Sequence, residues 1–258
     1  MRVVRVVHPV TEEPTWAVVE GGRAHAVEAA PWLVADQPAT EDLGAVEGLR
    51  LLAPVEPRQI ICVGLNYLAH VTERDPTQVV PEEPVIFMKP VSSIVGPGGT
   101  IRIANPENRT DYEAELALVI GSGGRDIAES DALSRVFGVT CANDVSDRVM
   151  QAKPGKWLPA KGYHTYCPVG PWVETGVDIS DQPVESRLNG ETRQAQRTST
   201  MLFSPAFLVS YISRVLTLEP GDLILTGTPE NVGPLSPGDT IEVEVGGIGV
   251  LRNPVALA

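Results

Sequence analysis

Short apolar runs separated by turn residues recur along the whole chain, and they restrict the folds open to it. The chain contains 24 Gly and 23 Pro, which leaves few stretches long enough for a helix. Beyond Pro57 the apolar runs lie at 60–63, 85–88, 114–120, 136–142, 184–188, 223–225 and 241–245. Short runs rich in Val, Ile and Leu are typical of β-strands. The sequence therefore predicts an α+β fold dominated by strands.

Two local patterns add detail to this prediction. Asn189-Gly190 follows the run at 184–188, and both residue types tolerate the positive φ of a two-residue hairpin turn. Apolar residues recur at helical spacing between Pro205 and Leu216, with Ser204 as the N-cap. The sequence thus predicts a hairpin after residue 188 and one substantial helix.

The kinds of residue in the chain change near Pro54–Pro57. Residues 1–54 hold Val-rich runs and turn signals, but no cluster of reactive side chains. Residue types that carry chemistry begin after these prolines. We predict a small N-terminal β domain over 1–54 and a catalytic domain over 55–258.

The charge balance and the apolar runs argue against several classes of partner. Twenty Lys and Arg face 33 Asp and Glu, and the formal net charge of −13 repels nucleic acids and anionic lipids. No apolar run approaches the roughly 18 residues of a membrane span. Cys62, Cys141 and Cys167 are too scattered for a disulfide framework or a zinc motif. We predict no nucleic-acid partner, no membrane association and a cytoplasmic location.

Alternating acids lead into one of the apolar runs. In an extended strand Asp111, Glu113 and Glu115 project to one side, about 7 Å apart, where they could converge on a hard divalent cation. Ala117 and Val119 continue that face into the core, with no Lys or Arg partner nearby in the sequence. Buried carboxylates without partners are costly, and a metal ion is one remedy. A solvated acidic strand edge is the alternative that the spacing leaves open.

A second acidic segment runs from Asn143 to Arg148. Asp144 stands two residues after the apolar run 136–142, so it could supply a third oxygen ligand at a strand end. Equally, Asn143 or Asp144 could cap a short helix that reaches Gln151.

His70 and Glu73 stand three residues apart, a spacing that brings two side chains together on one helical turn. The carboxylate could orient the imidazole and make it a general base. An ordinary surface pair is the alternative. Lys161 and His164 are weaker signals when taken alone.

Taken in order, these segments resemble the fumarylacetoacetate hydrolase family. The resemblance is to its shorter members, which include acylpyruvate hydrolases, oxaloacetate decarboxylases or tautomerases, and homoprotocatechuate-pathway isomerase/decarboxylases. It covers roughly residues 58 to 254 and rests on many motifs that are each weak but stand in a fixed order. These motifs are Gly64-Leu65-Asn66-Tyr67 with His70 and Glu73, Phe87-Met88-Lys89-Pro90, Asp111 to Leu116, Asn143 to Ser146, Lys161, Cys167 to Trp172, Asn189-Gly190, Thr226 to Pro229, and Gly247 to Leu251.

The resemblance implies a mixed β-roll or barrel-like core, a divalent-metal centre and a homodimer. The metal ligands would be Glu113, Glu115 and Asp144, and the ion would be Mg²⁺ or Mn²⁺, with Ca²⁺ possible. We assign catalytic roles to His70, Glu73 and Lys161, and place the first two on a mobile lid over residues 66–82. Substrate binding is assigned to Asn66, Tyr67, Arg148, Gln151 and Thr228.

The substrate implied by this family is a small 2-oxo acid. Its carboxylate and keto oxygen would face the ion, which stabilises the enolate formed when a bond at C3 breaks. We expect cleavage of a C–C bond in an acylpyruvate-like acid, with water activated by His70. Decarboxylation or tautomerisation of a 2-oxo diacid on the same site is the alternative. A non-catalytic, metal-stabilised binding protein is a second alternative.

Two residues depart from the family pattern. Asp147 stands where many relatives have alanine, and His164 stands where aspartate is frequent. Both are expected near the site, where titration of His164 would raise the preference for diacid substrates as pH falls from about 8 to 6.

Overall fold

A computed structural model of the chain describes residues 1–73 and 76–258. Strands make up 41% of it and helices 16%, which confirms the strand-dominated α+β class. The described strands form mixed sheets and do not close into a barrel. No described helix is long and apolar enough to cross a membrane.

The largest sheet has 11 strands. They are β1 Arg2–Val7, β2 Pro14–Glu20, β3 Arg23–Val27, β4 Glu41–Ala45, β5 Ile60–Gly64, β6 Val85–Lys89, β7 Ile94–Val95, β10 Ala114–Ile120, β11 Val136–Asn143, β13 Cys167–Glu174 and β16 Leu223–Leu225. Their order is β4-β3-β2-β1-β13-β11-β10-β16-β5-β6, and β7 also pairs with β13. The β16–β5 and β13–β7 pairs are parallel, while the neighbouring pairs are antiparallel.

Two smaller sheets complete the β structure. Their strands are β8 Ile101–Ile103, β9 Thr110–Tyr112, β12 Ser146–Asp147, β14 Pro183–Leu188, β15 Glu191–Arg197, β17 Gly233–Pro234, β18 Thr240–Val245 and β19 Gly249–Leu257. The three-stranded sheet has the order β12-β9-β17, and the five-stranded sheet has the order β15-β14-β18-β19-β8. The predicted hairpin joins β14 to β15, with φ values of 54° at Asn189 and 82° at Gly190.

The helices are short, apart from one. They are α1 Leu68–Thr72, α2 Glu129–Ala132, α3 Arg148–Gln151, α4 Trp157–Lys161 and α5 Pro205–Val215. The α5 helix is the predicted one, and the Ser204 hydroxyl caps it by accepting a hydrogen bond from Phe207 N. Leu208 and Ile212 are fully buried and Leu216 packs against the same cluster, whereas Val215 is exposed, so the apolar stripe reaches Leu216 but leaves out Val215.

The N-terminal strands continue the large sheet. Arg2 and Val3 of β1 pair with Glu174 and Val173 of β13 in antiparallel register. A separate N-terminal domain over 1–54 therefore stays a prediction.

The centre of the large sheet is buried on both faces. All seven residues of β10 are buried. Leu116 and Leu118 pack in the cluster that contains α5, while Ala117 and Val119 pack in a second cluster on the other face. Since side chains alternate along a strand, Glu115 shares the face of Ala117 and Val119, as the sequence predicted.

Candidate active site

Three buried carboxylates meet where β9 gives way to β10 and where β11 ends. Carboxylate oxygens of Glu113, Glu115 and Asp144 lie within 4.8 Å of one another. Ala114 pairs with Asn143 across the antiparallel β10–β11 pair, which puts the residues next to them side by side. The Asp144 N–H donates to the Glu113 carbonyl over 2.9 Å. Strand pairing therefore assembles the predicted ligand set from two segments distant in sequence.

Asp111, the first acid of the alternating motif, is not part of this triad. Asp111 Oδ1 accepts from Arg109 Nε at 2.7 Å, and Asp111 Oδ2 accepts from Arg148 Nε at 2.8 Å. Asp111 thus supports Arg148 at the edge of the site.

The second acidic segment does cap a helix, but through a residue that the sequence analysis did not propose as the cap. Asp147 caps α3, accepting from Met150 N at 3.0 Å. Asn143 instead accepts the N–H of Glu113 at 2.9 Å. The alternative in which Asn143 or Asp144 caps the helix is therefore wrong.

Basic side chains reach the triad from other elements. Lys161 Nζ donates to Glu113 Oε2 at 2.9 Å and to Asp144 Oδ2 at 2.5 Å. Lys89 Nζ donates to Asp144 Oδ1 at 2.5 Å, and Arg148 contacts Glu113 Oε1 at 2.6 Å. The expectation of carboxylates without cationic partners is wrong, because these partners come from α3, α4 and β6 and are invisible in the local sequence.

Glu115 is the one carboxylate of the triad that no basic side chain contacts among the described residues. Its hydrogen bond within the described residues is from Gly227 N, at 2.6 Å. Burial, and then the nearby Asp144 and Glu113 carboxylates, raise the pKa of Glu115 well above its usual range. For Glu113 burial acts in the same direction, but Lys161 and Arg148 outweigh it and hold the pKa of Glu113 below its usual range.

The donor atoms of the site suit a divalent cation. Glu113 and Asp144 form ion pairs with Lys89, Arg148 and Lys161, whereas Glu115 has no basic side chain within ion-pair distance among the described residues. The ligand set of two glutamates and one aspartate consists of hard oxygen donors, which suit Mg²⁺, Mn²⁺ or Ca²⁺ better than Zn²⁺. The residues present therefore fit the predicted metal ion.

Gly227 is needed for the contact to Glu115. Its φ is +99°, and a Cβ at this position would lie 2.7 Å from the Cβ of Asn66 and 3.1 Å from the Val63 carbonyl. Only glycine permits both this conformation and this approach.

The predicted His70–Glu73 pair is in contact at the C-terminal end of α1. His70 Nδ1 lies 3.1 Å from Glu73 Oε2, and Glu73 Oε1 accepts from Asn231 N at 2.8 Å. No described residue hydrogen-bonds His70 Nε2, and His70 lines the cavity beside the triad. Of the predicted lid, Arg74 and Asp75 lie outside the described residues, and its mobility stays a prediction.

A cavity of about 220 Å³ opens onto the triad. Most of the predicted site residues line it: His70, Glu113, Glu115, Asp144, Arg148, Gln151, Lys161 and Thr228. Its other walls are Val63, Gly64, Leu65, Gln78, Phe87 and Trp157. Of these, only Gln78 belongs to a segment, the predicted lid, to which the sequence assigned a role at the site. The rings of Phe87 and Trp157 meet edge to face at 5.0 Å, so one side of the cavity is apolar.

Asn66 and Tyr67, predicted to bind substrate, do not line this cavity. The Asn66 amide donates to the carbonyls of Phe203 and Thr226, and its oxygen accepts from Phe203 N. Tyr67 is 1% exposed. Asn66 instead ties together the segments around the site, and the geometry gives no support for direct substrate binding by either residue.

Asp147 and His164, the two departures from the family pattern, also lie outside the cavity lining. Asp147 Oδ2 accepts from the amides of Asn105 and Asn108 at 2.9 and 2.8 Å. His164 Nδ1 lies 3.3 Å from the Ser92 carbonyl at the surface. Neither residue lines the cavity, because each is held by partners elsewhere, and this geometry gives no support to the expected influence of His164 on substrate preference.

Lys89 is a site residue to which sequence reasoning assigned no role. It is fully buried on β6, and its ammonium group holds the oxygen of Asp144 that Lys161 does not. The signal available in the sequence was a lysine that ends an apolar run, Val85 to Met88. Lysine is almost never fully buried unless it is paired.

Replacing Lys89 with methionine is expected to destabilise the metal-free protein by about 3 kcal/mol, since Asp144 loses one of two buried partners. Excess Mn²⁺ should restore part of this loss, because an ion that binds the folded state stabilises it. Urea unfolding with EDTA and with Mn²⁺ measures both effects, with Lys153→Met at an exposed position as the control. Equal stability of Lys89→Met and Lys153→Met in EDTA would contradict this role.

Fold and site together define a class of protein: a mixed β core that carries a buried carboxylate triad able to hold a metal ion. The sequence model of the fumarylacetoacetate (FAA) hydrolase C-terminal domain matches residues 59–256, and the model described as Rv2993c-like, N-terminal, matches residues 1–54. The chain belongs to the fumarylacetoacetate hydrolase family, whose members are enzymes.

Relatives and solved structures agree with this assignment. The mitochondrial oxaloacetate tautomerase fahd2 of Xenopus laevis is 43% identical over 220 residues, which cover 80% of this chain and 68% of the relative. A 5-carboxymethyl-2-hydroxymuconate delta-isomerase from Mycobacterium smegmatis has a TM-score of 0.91 at 40% identity, with full coverage of both chains. A 2-hydroxyhepta-2,4-diene-1,7-dioate isomerase from Mycobacterium marinum has a TM-score of 0.89 at 39% identity, covering 100% of this chain and 98% of that one.

Proposed function

We propose that this chain interconverts the keto and enol forms of a small 2-oxo acid with the help of a divalent cation. The observation that carries the proposal is the buried triad, with its uncompensated Glu115, in a cavity that also contains His70. The names of the three similar proteins, a tautomerase and two isomerases, support the same class of reaction.

The triad of Glu113, Glu115 and Asp144 would hold the ion, which when bound supplies positive charge to the carboxylate and keto oxygens of the substrate. Lys161 adds a second positive charge. Burial alone would lower the pKa of Lys161, but Asp144 and Glu113 outweigh it and raise that pKa, so Lys161 stays an ammonium ion. It therefore contributes as a fixed charge and not as a base.

His70 is the group suited to move a proton at C3 of the substrate. Its Nδ1 faces Glu73, which fixes the ring and leaves Nε2 for the reacting carbon. Glu73 is itself held by the backbone of Asn231, so the pair is braced from the loop that follows Thr228. In the keto-to-enol direction His70 would take a proton from C3 and deliver it to the enolate oxygen, and in the reverse direction it would take the enol O–H proton and deliver it to C3, so no proton is gained or lost overall. Phe87 and Trp157 limit the access of water on one side.

A second candidate is hydrolytic cleavage of an acylpyruvate, the reaction that the sequence favoured. The same His70–Glu73 pair favours it, because a base in this position could deprotonate a water for attack on the distal carbonyl. Decarboxylation of a 2-oxo diacid needs the same charged site. A binding protein without turnover is disfavoured, since a metal scaffold needs no oriented histidine. Homodimerisation and a cytoplasmic location stay predictions.

Two assays separate these reactions. Loss of the ultraviolet absorbance of enol oxaloacetate reports tautomerisation, and pyruvate release from acetylpyruvate reports hydrolysis, each with Mn²⁺ and with EDTA. The proposal expects Mn²⁺-dependent acceleration of the first reaction beyond the rate of Mn²⁺ alone. Acceleration of the second reaction alone would replace the proposal with the hydrolytic candidate.

A further inference from the structure

One buried amide in an otherwise exposed edge strand has no role in the chemistry described so far. Gln194 is fully buried in β15, while its neighbours Arg193 and Ala195 are exposed. β15 is the edge of the five-stranded sheet, remote in sequence from the triad. Burying a polar side chain is costly unless its hydrogen bonds are made, so its partners matter.

All four hydrogen-bonding positions of the Gln194 amide are occupied. Its Oε1 accepts from Ala114 N at 3.0 Å and from Ser186 Oγ at 3.0 Å. Its Nε2 donates to Thr228 Oγ1 at 2.8 Å and to the Pro229 carbonyl at 2.8 Å. The amide therefore joins two segments that both reach the cavity.

The contacts close into a ring. Thr228 Oγ1 donates to the Ala114 carbonyl at 2.9 Å, so Gln194, Ala114 and Thr228 are each bonded to the other two. Ala114 is the residue between Glu113 and Glu115. The ring thus fixes the peptide that carries the two glutamates against the turn that carries Thr228.

The same ring determines which hydrogen bonds the Thr228 hydroxyl donates and accepts. Its proton is committed to the Ala114 carbonyl, and one of its lone pairs is used by Gln194. A hydroxyl has one donor and two acceptor positions, so one lone pair is left. Thr228 lines the cavity and therefore offers a ligand an acceptor, which suits a group that carries a proton, such as the O–H of an enol.

We propose that Gln194 is a positioning residue of this active site, holding the Glu113–Glu115 peptide in place for metal binding and the Thr228 hydroxyl as an acceptor toward substrate. This inference rests on the function proposed above. A merely structural amide would affect stability but would leave the metal affinity and KM of the folded protein unchanged.

The test compares Gln194→Met with Gln196→Met. Both positions lie on β15, two residues apart and on the same side of the strand, and Gln196 contacts Glu230 but not Ala114 or Thr228. We expect Gln194→Met to weaken Mn²⁺ binding about 10-fold or more in calorimetry, the range for loss of a residue that orients a metal ligand, and Gln196→Met to stay within about twofold. With saturating Mn²⁺, KM for enol oxaloacetate should rise about fivefold or more in Gln194→Met, the effect of one weakened hydrogen bond.

Gln194→Asn provides a second variant in case the methionine variant does not fold. It keeps both amide groups but is one methylene shorter, so it cannot span Ala114 and Thr228 together, and we expect the same changes in Mn²⁺ affinity and KM. Unchanged Mn²⁺ affinity and KM in folded Gln194→Met or Gln194→Asn would overturn the inference. The Mn²⁺ titration needs no turnover, so it tests Gln194 even if the parent protein does not tautomerise oxaloacetate.

Discussion

Replacing Glu115 with glutamine is expected to abolish tight divalent-metal binding while making the metal-free protein more stable. Glu115 is the triad member without a cationic partner among the described residues, and burial and its neighbours raise its pKa. Glutamine keeps the shape and can still accept the hydrogen bond of Gly227 N, but it cannot become a negatively charged ligand for a cation. We expect Mn²⁺ affinity to fall at least about 100-fold, more than the loss of an outer residue would cost.

The stability of the same variant should change in the opposite direction. Because burial and the neighbouring carboxylates disfavour the ionised form of Glu115, a neutral amide at this position should stabilise the protein in EDTA by about 1–3 kcal/mol. Calorimetry with Mn²⁺ and urea unfolding in EDTA measure the two effects, with Glu107→Gln at an exposed position as the control. A Glu115→Gln variant that binds Mn²⁺ as tightly as the parent would remove Glu115 from the metal site.

Replacing His70 with alanine is expected to lower turnover by about 10²- to 10⁴-fold, the range for loss of a general base. Mn²⁺ affinity should stay within a few fold, because His70 lines the cavity but is not among the converging carboxylates. This separation follows from the arrangement in which Glu73, and not the triad, holds the ring.

His164→Ala is the matched control for this prediction, since His164 is at the surface and outside the cavity lining. Its turnover and its pH profile should equal those of the parent protein. Tautomerisation rates at saturating Mn²⁺, measured beside Mn²⁺ titrations, separate the outcomes. Loss of Mn²⁺ binding in His70→Ala would make His70 a ligand, and normal turnover would exclude it as the proton carrier.

Local sequence patterns predicted the elements that are specified by short-range physics. The run from Ala114 to Ile120 became β10 with the predicted bounds, because its six apolar residues alternate between two buried clusters. Asn189-Gly190 formed its turn since both residues adopt positive φ. The spacing of His70 and Glu73 predicted their contact, which needs only one helical turn.

Features that depend on long-range pairing could not be predicted in this way. Lys89, Arg148 and Lys161 reach the carboxylates from separate elements, so the triad looked unpaired in the sequence. Gln194 gives no local signal, because an amide between exposed residues of an edge strand reads as a surface residue. Asp147 was expected near the ion, but its two asparagine partners come from the segment before β9.

The central claim is that the ion held by the carboxylate triad drives enol chemistry in this cavity. Its most direct test is the rate of enol oxaloacetate ketonisation as Mn²⁺ is titrated into the parent protein and into Glu115→Gln, with the rate of Mn²⁺ alone subtracted. The account predicts that the parent rate rises in proportion to Mn²⁺ occupancy measured by calorimetry, and that Glu115→Gln shows no increase over the same range. A parent rate that is independent of Mn²⁺, or equal in the two proteins, would contradict the account.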